Sequence, residues 1–229
     1  MRFQKGSAIR KIWRKLLHWR FARQQSWQTG KAKEPVLEKV QGRSLLVLPG
    51  VFNPRLLRSG AFLVECLSPE LVPRGSRVLD MGTGSGVGAI FASDWADEVV
   101  AVDINPDAVR CARINTWIQV REDKVTVLQG DLFAPVADER FDVVLFNPPY
   151  FRGEPRDLSD HAWRSPDMGA RFAQGLAKHL TAGGHALLCL STDGDVSFLD
   201  ALREEGFSTE LVAERDLVNE ILRLHRAWR

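Results

Sequence analysis

The sequence is organised around Phe141-Asp142-Val143-Val144-Leu145-Phe146-Asn147-Pro148-Pro149-Tyr150, an apolar run that stops at a proline pair. Because the run is short and rich in β-branched residues, it predicts a buried strand rather than a helix. The prolines lack a backbone N–H group and hold the chain extended, so the Asn147 amide and the proline carbonyls point outward. In an open α/β sheet, ligands bind at that end of the strands. The alternative is a strand followed by a simple proline turn.

Strands and helices alternate on both sides of this run. Apolar periodicity predicts strands over residues 78–81, 99–104, 125–129 and 185–190, and helices over residues 87–95, 106–116, 168–180 and 195–205. Such alternation is typical of parallel βαβ units in an α/β fold. Residues 208–213 and 220–225 alternate apolar and polar side chains, which predicts an antiparallel pair at one edge of the sheet.

The chain before residue 69 has a different character. Residues 36–40 and 44–48 flank Gln41-Gly42 and predict a β-hairpin, which is followed by a helix over residues 56–67. Residues 1–33 contain ten Lys and Arg and no acidic residue, and residues 7–27 have the apolar spacing of a basic amphipathic helix. We favour docking of this helix on the rest of the chain. The alternatives are that it covers substrate, contacts RNA, lies on a membrane surface or acts as a transit peptide.

The composition fits one large globular domain with a small appendage, because the chain has 229 residues of which 45% are apolar. No apolar run approaches the roughly 20 residues that a membrane-spanning helix needs, and no signal segment opens the chain, so we expect a cytoplasmic protein without a membrane partner. The three cysteines lie far apart in apolar segments, which predicts reduced thiols. The histidines lack ligand spacing, which predicts no metal site.

A glycine-rich stretch, Asp80-Met81-Gly82-Thr83-Gly84-Ser85-Gly86-Val87-Gly88, joins the first predicted strand of the sheet to its first helix. Glycines let the backbone approach a ligand closely, and the helix begins with free N–H groups. A nicotinamide dinucleotide site is the competing interpretation. S-adenosylmethionine is favoured because acids follow three successive strands: Asp80 for the ammonium group, Asp103 for the ribose hydroxyls and Asp131 for the adenine amino group. Each acid alone could instead be a helix cap or a turn residue.

From Leu45 onward the chain resembles class I S-adenosylmethionine-dependent methyltransferases, and within them the release-factor glutamine methyltransferases and the small methyltransferase domain family. The motifs that carry the resemblance are residues 78–86, 102–108 and 130–133 and Asn147-Pro148-Pro149-Tyr150. The resemblance implies a seven-stranded, mostly parallel Rossmann-like sheet with an antiparallel last strand and helices on both faces. It also implies that S-adenosylmethionine is bound by Asp80, Gly82, Thr83, Gly84, Gly86, Asp103, Ile104, Asp131, Leu132 and Asn147.

We therefore expect three parts in the chain. Residues 1–33 are a basic helical extension, residues 34–68 are a hairpin and helix that act as a lid over substrate and cofactor, and residues 69–229 are the catalytic domain that binds S-adenosylmethionine.

The chemistry expected at the proline pair is direct methyl transfer, which needs no metal and no covalent enzyme intermediate. A planar amide or amino nitrogen is a poor nucleophile until acceptors hold its hydrogens, and the Asn147 side-chain oxygen and the Pro148 carbonyl are placed to do this. The Tyr150 ring is expected to stack on the planar group. The loop over residues 151–166 predicts a substrate wall, and the residues assigned to substrate contact are Pro149, Phe151 and Arg152.

The methyl acceptor is left open by the sequence. A glutamine side chain in a protein, with a translation release factor as the first candidate, is the leading hypothesis. RNA is the alternative because residues 50–54 are similar to the corresponding stretch of ribosomal-RNA guanine methyltransferases, and because the basic segment could hold phosphates. A small-molecule acceptor and a non-catalytic partner subunit are further alternatives. The larger bacterial relatives carry an N-terminal helical domain that grips the release factor, and here only the basic segment precedes the hairpin.

Overall fold

The computed structural model of the protein describes residues 34–148, 167–191, 197–217 and 220–229. The predicted basic helix over residues 7–27 and the predicted substrate wall over residues 151–166 lie outside the described residues. The same is true of four residues with predicted roles: Pro149, Tyr150, Phe151 and Arg152.

A two-stranded hairpin and a seven-stranded sheet make up the strands of the described chain. The hairpin is formed by β1 (Val36–Val40) and β2 (Arg43–Val47). The sheet is formed by β3 (Arg77–Met81), β4 (Glu98–Asp103), β5 (Val125–Gln129), β6 (Phe141–Phe146), β7 (Leu180–Ser191), β8 (Ser208–Asp216) and β9 (Ile221–Trp228). The helices are α1 (Ser59–Cys66), α2 (Val87–Ala92), α3 (Pro106–Ile118), α4 (Met168–His179) and α5 (Ser197–Glu204).

The order of the strands across the sheet is β5-β4-β3-β6-β7-β9-β8. Strands β3 to β7 are parallel to one another, and β9 is antiparallel to both of its neighbours. The prediction of a mostly parallel seven-stranded sheet with an antiparallel last strand is confirmed. The parallel strands all have their carboxyl ends at the same side of the sheet, where β5, β4, β3 and β6 are neighbours.

Both faces of the sheet are covered by helices, as predicted. On one face, α1, α2 and α3 pack on alternate strand residues such as Val143 and Leu187, which are completely buried. On the other face, α4 and α5 pack on the intervening residues, among them Val144 and Leu188. Because both faces are buried, strands such as β6 are apolar at nearly every position, without the alternation of a half-exposed strand.

The hairpin packs on helix α3 through side-chain amides. Residues Gln41 and Gly42 both have positive φ angles, 45° and 84°, as a two-residue turn between twisted strands requires. Asn115 accepts a hydrogen bond from the Leu46 backbone N–H at 2.7 Å and donates to the Leu46 carbonyl at 2.6 Å. Gln119, one helical turn further on, donates to the Ser44 carbonyl at 2.8 Å. The hairpin is thus held beside the helix that follows β4.

Helix α1 begins at Ser59, whereas the sequence pattern predicted a start at residue 56. The helix cannot extend backward because Arg58 has a φ of 60° and a ψ of −26°, outside the helical region. The Ser59 backbone N–H donates to the Leu57 carbonyl at 2.6 Å, which closes a tight three-residue turn. The preceding turn is held by Asn53, whose side-chain oxygen accepts from the Leu56 N–H.

Strand β7 begins at Leu180, five residues before the predicted start, because a glycine pair lies inside it. The parallel ladder joins Phe141 to Leu180, is interrupted, and resumes where Val143 pairs with His185. Gly183, with a φ of 81°, lies in the interruption. Glycines in a sequence usually indicate a turn, which is why the strand was predicted to begin after them. Here they lie at a break in the ladder within a single strand.

The cysteines form no disulfide: Cys111 and Cys189 are buried and Cys66 is half-buried. Burial raises the pKa of the Cys111 thiol to about 11, so this group is protonated at neutral pH. In the part of the chain that the structure describes, no helix has the length and apolar character to cross a bilayer.

Candidate active site

A cleft opens where β3, β4, β5 and β6 end. Its described lining includes nine of the residues predicted to bind cofactor: Asp80, Gly82, Thr83, Gly84, Asp103, Ile104, Asp131, Leu132 and Asn147. The tenth, Gly86, does not line the cleft. Four successive strands of the sheet therefore bring the sequence motifs to one place, as expected for parallel strands that end on the same side.

Asp80, the last but one residue of β3, is almost completely buried beneath the glycine-rich stretch. Its Oδ2 atom accepts hydrogen bonds from the Thr83 hydroxyl at 2.6 Å and from the Ala89 backbone N–H at 2.8 Å. The second bond caps the first turn of α2, one of the alternatives that the sequence left open. The pKa of the Asp80 carboxyl is raised to about 6, chiefly by burial and to a smaller degree by the nearby Asp103 carboxylate, against the two hydrogen bonds, which lower it.

Asp103, the last residue of β4, ties two loops together. Its Oδ2 atom accepts from the Gly84 N–H at 2.8 Å and its Oδ1 atom accepts from the Asn105 N–H at 2.9 Å. Burial raises the pKa of this carboxyl, and the backbone N–H groups around it oppose that rise. Each carboxylate oxygen has a second lone pair, so a ligand hydroxyl can still donate to it. The predicted ribose contact is chemically compatible with this arrangement.

Asp131 follows β5 and is half-exposed at the rim of the cleft. Its carboxylate forms an ion pair with Arg171 of helix α4. The sequence did not predict this partner, which competes with the proposed adenine amino group for the same oxygen atoms. Its neighbour Leu132 also lines the cleft and has a φ of 48°, a strained value for a branched apolar residue.

The glycines of the loop have different tasks. Gly82 and Gly84 line the cleft with φ angles of 62° and 57°, values that side chains disfavour. Gly86 faces α3 instead, because a Cβ atom there would lie 3.1 Å from the Ala112 backbone. Gly88, to which the sequence assigned no role, is required by packing: a Cβ atom would lie 2.5 Å from the Asp80 Oδ1 atom.

Asn147 lies at the far side of the cleft, directly after β6. Its Nδ2 atom donates a hydrogen bond to the hydroxyl of Ser59 at 3.0 Å. Pro148 is buried and is not among the residues that line the cleft. Of the predicted catalytic residues, the structure therefore places Asn147 beside the predicted cofactor residues, with its amide nitrogen turned toward α1.

One wall of the cleft is formed by the segment between β2 and α1, which lies within the predicted lid but whose individual lining residues the sequence did not predict. Gly50, Phe52 and Pro54 line it. The segment is fastened to the loop after β4, because the Asn105 side chain donates to the Gly50 carbonyl at 3.2 Å while its oxygen caps α3. The sequence predicts a lid over residues 34–68 and a family resemblance over residues 50–54, but neither signal tells which of these residues line the cleft.

The lining has a distinct charge: the described residues include three carboxylates and no Lys, Arg or His. A dinucleotide would bring a pyrophosphate to this acidic surface, whereas the sulfonium and ammonium groups of S-adenosylmethionine complement it. The glycine backbone leaves room for a ligand chain, and apolar side chains such as Ile104, Leu132 and Phe146 suit the flat adenine ring. The residues present thus fit S-adenosylmethionine better than the competing dinucleotide. No group of residues suited to bind a metal ion occurs in the described ranges.

Comparison with known proteins gives consistent matches. The family model named methyltransferase small domain matches residues 42–216. A protein of Methanocaldococcus jannaschii, named provisionally as a protein N5-glutamine methyltransferase, is 30% identical over 201 residues, which are 83% of this chain and 98% of that protein. The release factor glutamine methyltransferase of Aliivibrio fischeri is 34% identical over 149 residues, 62% of this chain and 52% of the relative.

Among solved structures, a 16S rRNA methyltransferase of T. thermophilus in complex with AdoMet and guanosine superimposes with a TM-score of 0.62. It is 24% identical, and the match covers 86% of this chain and 50% of that one. This likeness concerns the fold. The chain thus spans nearly the whole archaeal relative but about half the length of the bacterial release factor enzyme.

Proposed function

The chain belongs to the methyltransferase small domain family, and we propose that it transfers the methyl group of S-adenosylmethionine to a glutamine side chain of a protein, with a translation release factor as the first candidate. It is an S-adenosylmethionine-dependent methyltransferase. What the family leaves open is the acceptor. A translation factor as acceptor would place the reaction in the cytoplasm.

The observation that carries the proposal is the position of Asn147. Its side-chain amide lies at the end of β6 on the same cleft as Asp80 and Asp103, and it is held by a hydrogen bond to Ser59. A carboxamide oxygen at this place is suited to accept a hydrogen from a planar nitrogen, such as the amide of glutamine. Relatives named for glutamine methylation support the same acceptor class.

The work of the chain is to bind and align. When bound, S-adenosylmethionine supplies an electrophilic methyl group on a sulfonium centre. Asp80 and Asp103 would hold its ammonium and ribose groups, and the backbone at Gly82 and Gly84 would lie against it. None of these residues needs to give or take a proton during transfer.

On the acceptor side, the Asn147 oxygen and the Pro148 carbonyl would accept the two hydrogens of the glutamine amide. Holding both hydrogens turns the nitrogen lone pair toward the cofactor and weakens its delocalisation into the carbonyl group. Tyr150 would stack on the amide plane. The amide proton is lost as the new N–C bond forms, and the released proton passes to water.

The test uses a glutamine-containing peptide from a release factor, incubated with the protein and isotope-labelled S-adenosylmethionine. The expected product is a peptide heavier by one methyl group, with the mass located on glutamine by fragmentation. The matched control peptide replaces that glutamine with asparagine, which has the same amide on a shorter side chain. The glutamine assignment fails if intact release factors remain unmethylated by protein that binds the cofactor in calorimetry.

RNA is the second candidate, favoured by the ten basic and no acidic residues of positions 1–33. Phosphate contacts made by such a segment would make binding weaken steeply as salt increases. The deciding measurement is RNA affinity between 50 and 200 mM salt, a range over which about 10³-fold weakening is typical of such contacts, for the full chain and for a chain lacking residues 1–33. Salt-independent binding, or equal affinity of the two chains, would exclude the basic segment as an RNA arm.

A further inference from the structure

We propose that Ser59 is a positioning residue that anchors the Asn147 amide and restrains its rotation at the methyl acceptor. The inference rests on the proposed function, since it assumes that Asn147 aligns the acceptor nitrogen. Ser59 is the first residue of α1 and is completely buried, and its hydroxyl accepts the hydrogen bond from the Asn147 Nδ2 atom at 3.0 Å. No sequence motif links the two residues, which lie 88 positions apart.

The contact matters because an asparagine amide has two chemically opposite ends. The Nδ2 atom only donates hydrogen bonds and the Oδ1 atom only accepts them, although the two have nearly the same shape. A rotation of about 180° would exchange them and present a donor to the acceptor nitrogen, whose own hydrogens also need acceptors. Because a hydroxyl can donate as well as accept, the Ser59 contact restrains rotation of the amide rather than selecting one end by itself. In the observed arrangement the hydroxyl takes a hydrogen from Nδ2, which leaves Oδ1 turned away from α1.

The surrounding structure holds Ser59 in an unusual way. Arg58 has a positive φ of 60°, and the Ser59 N–H closes a turn onto the Leu57 carbonyl. Such a backbone conformation is disfavoured in a residue other than glycine. The Ser59 carbonyl in turn accepts from the Cys189 thiol at 3.6 Å.

The next residue of α1 is equally constrained. A Cβ atom at Gly60 would lie 2.9 Å from the Pro54 Cβ atom, so the helix can approach the cleft wall this closely only with glycine there. Three successive residues at the start of α1 are therefore constrained: Arg58, just before the helix, by its positive φ; Ser59 by burial of its hydroxyl; and Gly60 by the nearby Pro54. A strained turn that delivers one hydroxyl to Asn147 is consistent with a role in alignment, because Ser59 is the first residue of α1 and its hydroxyl bonds to the Asn147 side chain.

The experiment replaces Ser59 with Ala and measures steady-state transfer to the glutamine peptide. We expect kcat to fall roughly 10- to 100-fold with cofactor Kd and peptide KM within about twofold, as for a contact that acts mainly in the transition state. Ser59→Thr, which keeps the hydroxyl, should recover a large part of kcat. The matched control is Ser93→Ala, another buried serine, whose hydroxyl donates to the Ile90 carbonyl at 2.8 Å away from the cleft lining.

A double-mutant cycle separates positioning from general destabilisation. If Ser59 acts through Asn147, Ser59→Ala should cause no further loss in protein that already carries Asn147→Ala. A loss of equal size in both backgrounds would overturn the proposal, as would an unchanged kcat in the single variant. The unfolding midpoints of Ser59→Ala and Ser93→Ala should be lowered to a similar degree, whereas only the former should lose turnover.

A second readout needs no acceptor. The side-chain NH₂ signals of Asn147 in ¹⁵N-labelled protein should shift in Ser59→Ala and stay in place in Ser93→Ala. Unshifted signals in Ser59→Ala would contradict the anchoring itself. If the protein transfers no methyl to glutamine but the signals shift, the proposed function fails while the anchoring of Asn147 stands.

Discussion

The two halves of the cleft are built differently. In the cofactor half, formed by residues 80–88, 103–107 and 130–133, the loops bond to one another over short stretches of chain: the Gly84 N–H and the Asp103 carboxylate are 19 residues apart. In the acceptor half, formed by Asn147 and Ser59, the bond spans 88 residues. Motifs in the sequence predict Asn147 as well as the acids of the cofactor half. They do not predict Ser59, because this partner of Asn147 lies on a helix that is distant in the chain.

The largest expected effect is a loss of turnover without a loss of cofactor affinity, which would show that the two halves act independently. Asn147→Ala removes the proposed acceptor of the amide hydrogen, so turnover should fall by about 10³-fold while cofactor Kd stays within about threefold. Labelled-methyl transfer and calorimetry on the same preparation measure both. Asn147→Asp serves as a control that keeps an oxygen at the site. Abolished cofactor binding in a folded Asn147→Ala protein would mean that the halves are not separate.

The converse change is Asp103→Ala, which removes the carboxylate that holds the Gly84 and Asn105 N–H groups. The loss of charge-assisted bonds, worth roughly 2–3 kcal/mol, predicts a cofactor Kd about 30- to 150-fold higher. At saturating cofactor, kcat should recover to within about threefold of the original value. The reason is that the lost interaction stabilises the ground state and the transition state equally. A kcat that stays low at saturation would show that Asp103 also aligns the acceptor half.

A pH titration tests the cofactor half through Asp80, whose pKa burial raises to about 6. Acidification from pH 8 to 5 protonates this carboxyl, so S-adenosylmethionine should bind about tenfold more weakly at pH 5 if its ammonium group meets the carboxylate.

The free energy of unfolding should decrease as the pH rises, whereas cofactor affinity increases, because the folded-state pKa of Asp80 lies above its usual 3.8. Its contribution is complete below about pH 3.8 and is lost as the pH rises through about 6. Asp80→Asn should flatten both profiles. If cofactor affinity depends on pH in the same way in the original protein and in Asp80→Asn, Asp80 does not bind the ammonium group.

The smallest effect is expected at the rim. Arg171→Ala releases Asp131 from its ion pair, and both side chains are about 40% exposed (41% and 40%), so the pair itself contributes little to stability. Freeing the carboxylate for the adenine amino group should tighten cofactor binding by about two- to threefold. Weaker binding in this variant would instead assign Arg171 to the cofactor. Isothermal calorimetry at low salt resolves the difference.

The sequence predicted that the residues of the proposed cofactor half lie together, because the signals in these motifs are local. Alternation of strands and helices placed the acids at the ends of β3 and β4 and just after β5, and parallel strands bring these ends to one side of the sheet. Within these motifs, the position of at least one residue differs from the prediction. Gly86 reads as a cofactor glycine but packs on Ala112, because a motif does not tell which glycine faces the ligand and which faces a helix.

The remaining differences come from contacts between distant parts of the chain. The wall at Gly50 and Phe52, the Arg171 partner of Asp131, and the Ser59 partner of Asn147 each join segments that no periodicity relates. The start of α1 was also placed too early, since a positive φ at an arginine has no sequence signal. Local propensity predicts elements, and tertiary packing decides where they begin and what they touch.

The location of α1 has a consequence for how the protein is made. Its buried residues Phe62, Leu63 and Val64 share a core with Leu187 of β7 and Leu222 of β9, which leave the ribosome more than a hundred residues later. The same core contains residues of α2, the helix that follows the glycine-rich stretch. Neither half of the cleft can therefore reach its final packing until β7 and β9 have been synthesised. Affinity for S-adenosylmethionine and orientation of the Asn147 amide are expected to arise together, late in synthesis.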